Sequence, residues 1–233
     1  MLLALLPAAL ANPPTALPDA APREPGAAHV AVGALGALSV EDPWGAVGGY
    51  LGAERAFGDR LLLQARLPAI WMPNPQPLRT GPSLGGVVGA ASVSFRGTVV
   101  DKPALHLAPY VMLGGLTSYS APAGLRGGGL GLLGVAMEGG GERVRVDASL
   151  SVLGLAGSPG GGTPLFFAPW TAVAFSEGGV SFPILEGHRL RLGLLSMLPT
   201  VGWMFEHEQL TAEVSVSSLG IFNVGRAELG WRF

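Results

Sequence analysis

Between Arg143 and Val152 the side chains change character at every step. Val144, Val146, Ala148, Leu150 and Val152 are apolar, while Arg143, Arg145, Asp147, Ser149 and Ser151 are polar or charged. A period of two is that of a β-strand, whose successive side chains point to opposite faces. The same alternation sets Leu210, Ala212, Val214 and Val216 against Thr211, Glu213, Ser215 and Ser217. A third run places Leu61, Leu63, Ala65 and Leu67 opposite Arg60, Gln64 and Arg66, with Leu62 as the exception. Long helices are disfavoured by 37 glycines and 20 prolines, which leave few uninterrupted stretches.

Strands with one wet and one apolar face also build soluble sandwiches, so alternation alone leaves two architectures open. Length and charge separate them. The alternating segments run roughly nine to thirteen residues, longer than the usual five or six and close to what crosses a bilayer at a tilt. Charged residues make up 13% of the 233-residue chain against 48% hydrophobic ones, about half the charge of an ordinary soluble surface. A barrel wall with apolar side chains toward lipid and polar ones toward the lumen has this composition. Spanning helices do not fit: the best uncharged stretch, Pro103 to Leu125, carries three prolines, Gly114-Gly115 and Thr117-Ser118-Tyr119-Ser120. The expected fold is therefore all-β, an antiparallel transmembrane β-barrel occupying residues 29–233.

Strands are predicted near 29–40, 45–57, 60–71, 84–96, 104–116, 127–138, 142–155, 165–175, 179–185, 189–205, 209–217 and 221–233. Gly58-Asp59 and Gly139-Gly140-Gly141 read as tight turns. Met72 to Pro82, Thr117 to Arg126 and Ala156 to Pro164 read as longer loops at the opposite end. The segment Leu165 to Leu185 is either one strand or two, with a turn at Ser176-Glu177-Gly178. Both chain ends are expected on the periplasmic side, which requires an even count. The split reading gives twelve strands, with ten as the alternative.

The last residues, Ile221 to Phe233, place Leu229, Trp231 and Phe233 on one face and Arg226, Glu228 and Arg232 on the other. This ending resembles the final strand of Gram-negative outer-membrane β-barrel proteins, with its terminal aromatic behind alternating apolar residues. The resemblance implies an outer-membrane location, and makes Leu229, Trp231 and Phe233 the signal read by the barrel assembly machinery. Export fits the other end of the chain. Met1 to Leu10 is apolar and Ala9-Leu10-Ala11 has the small-x-small pattern of a signal-peptide cleavage site. Residues 1–11 are thus expected to be a signal peptide and 12–28 a Pro-rich tail.

Several classes of function are disfavoured by composition. A formal net charge of -2 argues against nucleic acid as a partner. With no cysteine, disulfides, thiolate metal sites and cysteine nucleophiles are excluded. Gly129-Leu130-Gly131-Leu132-Leu133-Gly134 matches the dinucleotide fingerprint literally, but a Pro/Gly loop precedes it and three glycines follow, so no cofactor is expected. His29, His106, His188 and His207 have no metal-ligand spacing and are read as solvated; no metal site or catalytic set is selected. Aromatics including Trp44, Tyr50, Phe57, Trp71, Phe95, Tyr119, Phe166, Phe167, Trp170, Trp203, Trp231 and Phe233 lie near strand ends, as in interfacial girdles.

The candidate functional set is the inward polar face: Gln64, Arg66, Arg143, Arg145, Asp147, Glu213, Arg226 and Glu228. Mutual ion pairing that fills the barrel is one reading of these residues. A lining that passes small polar solutes is the other. The functions open to such a chain are a porin-like channel, a non-transporting structural barrel, a membrane-embedded lipid hydrolase or acyltransferase and, from a different class, a soluble secreted β-sandwich that binds ligands. The expected partners are outer-membrane lipid, the assembly machinery and a small polar solute.

Overall fold

The computed structural model describes residues 24–39, 45–72, 86–120, 124–157, 170–195, 198–218 and 222–233. Over these residues it is a closed antiparallel barrel of twelve wall strands, with no helix among them. In chain order the strands are β1 Ala28–Ser39, β2 Gly45–Phe57, β3 Leu61–Met72, β4 Gly86–Gly97, β5 Val100–Lys102, β6 Leu105–Ser120, β7 Gly124–Gly140, β8 Arg145–Gly157, β9 Trp170–Leu185, β10 His188–Leu195, β11 Leu198–His207, β12 Leu210–Ser218 and β13 Phe222–Arg232. The three-residue β5 is an excursion of the β4–β6 turn that pairs only with β6, while β4 pairs with β6 directly. Closure comes from β1 against β13, antiparallel from His29↔Arg232 to Ser39↔Phe222.

The wall has the expected twelve strands, but two of the strand assignments within it are corrected. Trp170–Leu185 is a single strand, so Ser176-Glu177-Gly178 is no turn. The stretch read as one strand over 189–205 is instead the hairpin of β10 and β11. The two errors cancel in the count. Glu177 points into the barrel, where Arg191 holds it; a polar residue beside a glycine looks alike in a turn and on an inward strand face. The loop expected over Thr117 to Arg126 is likewise shorter, because β6 runs to Ser120 and β7 starts at Gly124. Gly129 to Gly134 lies wholly within β7, with no helix to receive a phosphate. The proposed signal peptide falls outside the described residues, as do most of the loops Met72 to Pro82 and Ala156 to Pro164.

Turns at one end are short: Gly58–Arg60, Gly141–Val144, Glu186-Gly187 and Glu208-Gln209. Ala28 and Phe233 exchange backbone hydrogen bonds at this same end, Ala28 N to Phe233 O at 3.2 Å and Phe233 N to Ala28 O at 2.8 Å. It is termed the short-turn end below, and the opposite one the loop end.

The two faces of the wall obey the alternation. Val32, Leu51, Leu67, Leu113, Leu133, Leu150, Val152, Leu192, Val201, Val214, Val216 and Leu229 are exposed on the outside. A continuous apolar exterior of this kind is stable only against lipid, and closure leaves no strand edge to be satisfied there. Phe57, Phe95, Trp231 and Phe233 ring the short-turn end of this band, and Trp71 and Tyr119 its loop end. Tyr50 is a correction to the expected girdle: it is buried inside the barrel. Trp44, Phe166 and Phe167 fall outside the described residues.

Candidate functional site: the charged lumen

Inside the wall the side chains form two tiers of polar contacts beside an apolar patch. The tier nearer the short-turn end is a chain of hydroxyl, amide, carboxylate and imidazole groups running across neighbouring strands. Ser94 Oγ donates to Gln64 Oε1 at 3.3 Å, and Gln64 Nε2 donates to Glu54 Oε2 at 3.4 Å. Glu54 Oε1 lies 3.7 Å from His29 Nδ1, and His29 Nε2 is 3.2 Å from Thr211 Oγ1. This line links β4, β3, β2 and β1 to β12.

The second tier carries the buried ion pairs. Arg191 Nη1 donates to Glu177 Oε1 at 3.0 Å, and Nε to Asp147 Oδ1 at 3.3 Å, with Nη2 on the other oxygen of Asp147. Arg226 Nη2 donates to Glu213 Oε1. Tyr50 Oη donates to Glu228 Oε2 at 2.7 Å, and Arg66 is buried at 3% exposure on the adjoining β3. A charge removed from water must be paired, and the forked guanidinium of Arg191 satisfies two carboxylates at once. Toward the short-turn rim, Arg145 Nε meets Glu138 Oε1 at 3.1 Å, Arg232 meets Glu206, and Arg189 Nε donates to Ser181 Oγ at 3.3 Å.

Glycines make these reaches possible. Tyr50 is on β2 and Glu228 on β13, and between them Gly33 of β1 is in register with both. A Cβ at Gly33 would sit 1.9 Å from Tyr50 Cζ, so the phenol ring occupies the groove that the missing side chain leaves. His29 crosses Gly230 of β13 in the same way to reach Thr211, with a Cβ there 2.1 Å from Nε2. Arg191 passes Gly179 toward Asp147, and Tyr110 lies over Gly134.

Above the ion pairs, toward the loop end, the lumen wall from β13 to β3 is apolar. Leu35, Ala37, Ala46, Ile70 and Val224 form one buried cluster with Tyr50 at its floor. Ser149, Ser151, Thr200, Ser215 and Ser217 line β8, β11 and β12.

Of the residues expected to line the lumen, Gln64, Arg66, Arg145, Asp147, Glu213, Arg226 and Glu228 are placed on the inner face of the wall. Arg143 is not: β8 begins at Arg145, and Arg143 is exposed in the turn. Alternation continues in sequence beyond the point where the strand ends, because turn residues are polar too. Sequence reasoning missed His29, Tyr50, Glu54, Glu138, Glu177, Arg189 and Arg191. Arg189 and Arg191 alternate with Leu190, Leu192 and Leu194, a signal that the misplaced strand boundary hid. His29 was read as solvated, yet it is buried.

The order carboxylate, imidazole, hydroxyl at Glu54, His29 and Thr211 is that of a hydrolytic relay. Acyl transfer also needs donors aimed at a developing oxyanion. Here β2, β1, β13 and β12 are paired side by side, so their N–H groups lie in the sheet plane rather than toward the lumen. Among the described residues no group of three or more His, Asp or Glu side chains could hold a metal ion.

No family model and no curated protein matches the sequence. Solved structures do resemble the fold. An outer membrane channel from Pseudomonas putida F1 aligns over 95% of this chain and 99% of its own, at a TM-score of 0.61 and 13% identity. The beta domain of the Bordetella autotransporter BrkA covers 90% of this chain and 99% of its own, at 0.58 and 13%. The KdgM porin, solved with disordered oligogalacturonate, covers 87% and 99%, at 0.55 and 8%. Similarity at this level is one of fold, and together with the closed wall and apolar exterior it supports an outer-membrane location for the barrel.

Proposed function

We propose that the barrel is a narrow channel for small polar solutes, with the buried tier around Arg191 and Arg226 as its constriction. The observation that carries this reading is unused hydrogen-bonding capacity at that tier. Glu177 Oε2, Glu213 Oε2, Glu228 Oε1 and Arg226 Nε are buried without a partner among the described residues. Buried polar atoms in stable proteins find partners, and inside a barrel those partners are water or the polar groups of a solute. Twelve strands lie between eight-stranded barrels, filled by side chains, and sixteen-stranded ones with aqueous channels. The channel and porin among the structural neighbours lend the reading further support. Short-turn and loop ends then correspond to the periplasmic and outer sides.

A second reading, a non-transporting structural barrel, is favoured by the tightness of the same tier, where the Arg191 and Asp147 side chains are 3% and 0% exposed. Single-channel recording in planar bilayers separates the two. A channel gives discrete conductance steps whose ion selectivity shifts in Glu213→Gln. A folded barrel that never conducts supports the structural reading.

Leu229, Trp231 and Phe233 face outward at 50%, 44% and 70% exposure. We infer that they are presented to the assembly machinery before insertion. Phe233→Ala is then expected to lower the amount of folded protein in the outer membrane while leaving export unchanged.

A further inference from the structure

The β1–β13 contact joins the two ends of the described barrel, whereas its other neighbouring wall strands follow one another in sequence. Closure along this seam is a non-local event. The side chains crossing it are unevenly distributed. In the short-turn half, Tyr50 of β2 spans β1 to bond Glu228 of β13, and His29 of β1 spans β13 to bond Thr211 of β12. Each passes through a glycine groove, at Gly33 and Gly230. These two staples tie both strands on one side of the seam to both strands on the other.

The loop half is different. Its described inward side chains are Leu35 and Ala37 of β1 and Val224 and Arg226 of β13. Arg226 turns away from the seam to Glu213 on β12. Among the described side chains, what crosses the seam there, beside the backbone ladder, is apolar contact within the cluster of Leu35, Ala37 and Val224. On the lipid side, Gly36 faces Gly225, and a Cβ at Gly225 would meet nothing within 4 Å.

The surrounding bilayer decides how these halves respond to opening. Parting the backbone ladder costs the same in both halves, but apolar side chains parted along the wall meet lipid tails as apolar as they are and add little to that cost. A hydroxyl, imidazole or carboxylate parted from its partner at the same depth faces hydrocarbon and has nothing to replace the bond. We infer that the seam is a polarised closure, locked by Tyr50–Glu228 and His29–Thr211 in its short-turn half and able to part from the loop end. The wall then opens locally between β1 and β13 without the barrel unfolding.

Residue-resolved hydrogen exchange on the full chain in detergent micelles tests this. Of the amides that donate across the seam, those of Gly36 and Gly225 are expected to exchange about tenfold faster than those of Val30, Val32, Leu229 and Trp231, a steeper gradient than along β6–β7. In Tyr50→Phe the short-turn half of β1 and β13 should gain about tenfold in rate, with β6 and β7 unchanged. Thr211→Val, which removes the other staple, should act on the same amides and serves where Tyr50→Phe does not fold. Equal gradients along the seam and along β6–β7 would overturn the inference. So would variants that accelerate β6–β7 as much as the seam.

Discussion

Tyr50 and Glu228 lie on strands that do not pair, yet the phenol donates to the carboxylate at 2.7 Å across the backbone of Gly33. The ring fills the glycine's groove and its hydroxyl satisfies one oxygen of a buried acid. Tyr50→Phe keeps the packing and removes the donor, and is expected to cost about 1.5–3 kcal/mol, the range for a hydrogen bond to a charged group. Urea titration of the purified barrel, followed by tryptophan fluorescence, measures it. Gly33→Ala drives a methyl into the ring and should destabilise at least as much. In a double-mutant cycle the cost of Gly33→Ala should largely vanish in the Tyr50→Ala background.

Arg191 donates to both Asp147 and Glu177, two buried carboxylates on neighbouring strands. Arg191→Met strands two buried carboxylates and is expected to cost about 3–5 kcal/mol. Adding Asp147→Leu and Glu177→Leu should restore most of that stability, because an apolar set replaces an unpaired one. The same denaturation assay checks both steps. Failure of the triple variant to recover would mean that the pairs do more than neutralise each other.

Arg143 and Arg145 are neighbours in sequence with opposite expected behaviour. Arg145 meets Glu138 at 3.1 Å in the lumen, whereas Arg143 is exposed in the turn. Arg143→Ala should change stability by less than about 0.5 kcal/mol, the usual bound for such surface sites. Arg145→Ala should cost more, since it removes the 3.1 Å contact to the buried Glu138 carboxylate. Paired melting curves separate them.

How much of this was legible beforehand depends on what each residue's chemistry could signal. The wall was readable because lipid and lumen impose opposite polarities at every second position, as at Val146, Asp147 and Ala148. Glu177 was misread because a polar residue beside Gly178 looks the same in a turn and on a lumen face. Only its register with β10 tells the two apart. The apolar lumen patch of Leu35, Ala37 and Ile70 was invisible for the converse reason: in β1, apolar residues occupy both faces and the alternation disappears. Pairs such as Tyr50–Glu228 and His29–Thr211 are separated by 178 and 182 residues. Nothing local announces them, and the glycines beneath them look like any others.

Leu150 and Leu133 stand on the outer face at 62% and 67% exposure. Either one changed to Arg places a charge against the hydrocarbon core. The expected cost is about 2–4 kcal/mol near the midplane, read as a lower denaturation midpoint in lipid vesicles. A soluble β-sandwich would tolerate both changes with little loss.

The most direct test of the closed outer-membrane barrel is electrophoretic migration of the membrane-extracted protein before and after boiling. A barrel closed by β1 and β13 stays compact in mild detergent, so the unboiled sample should run as a distinct band that shifts to the unfolded position on heating. A single unshifted band, from protein that dissolves in buffer without detergent, would contradict it.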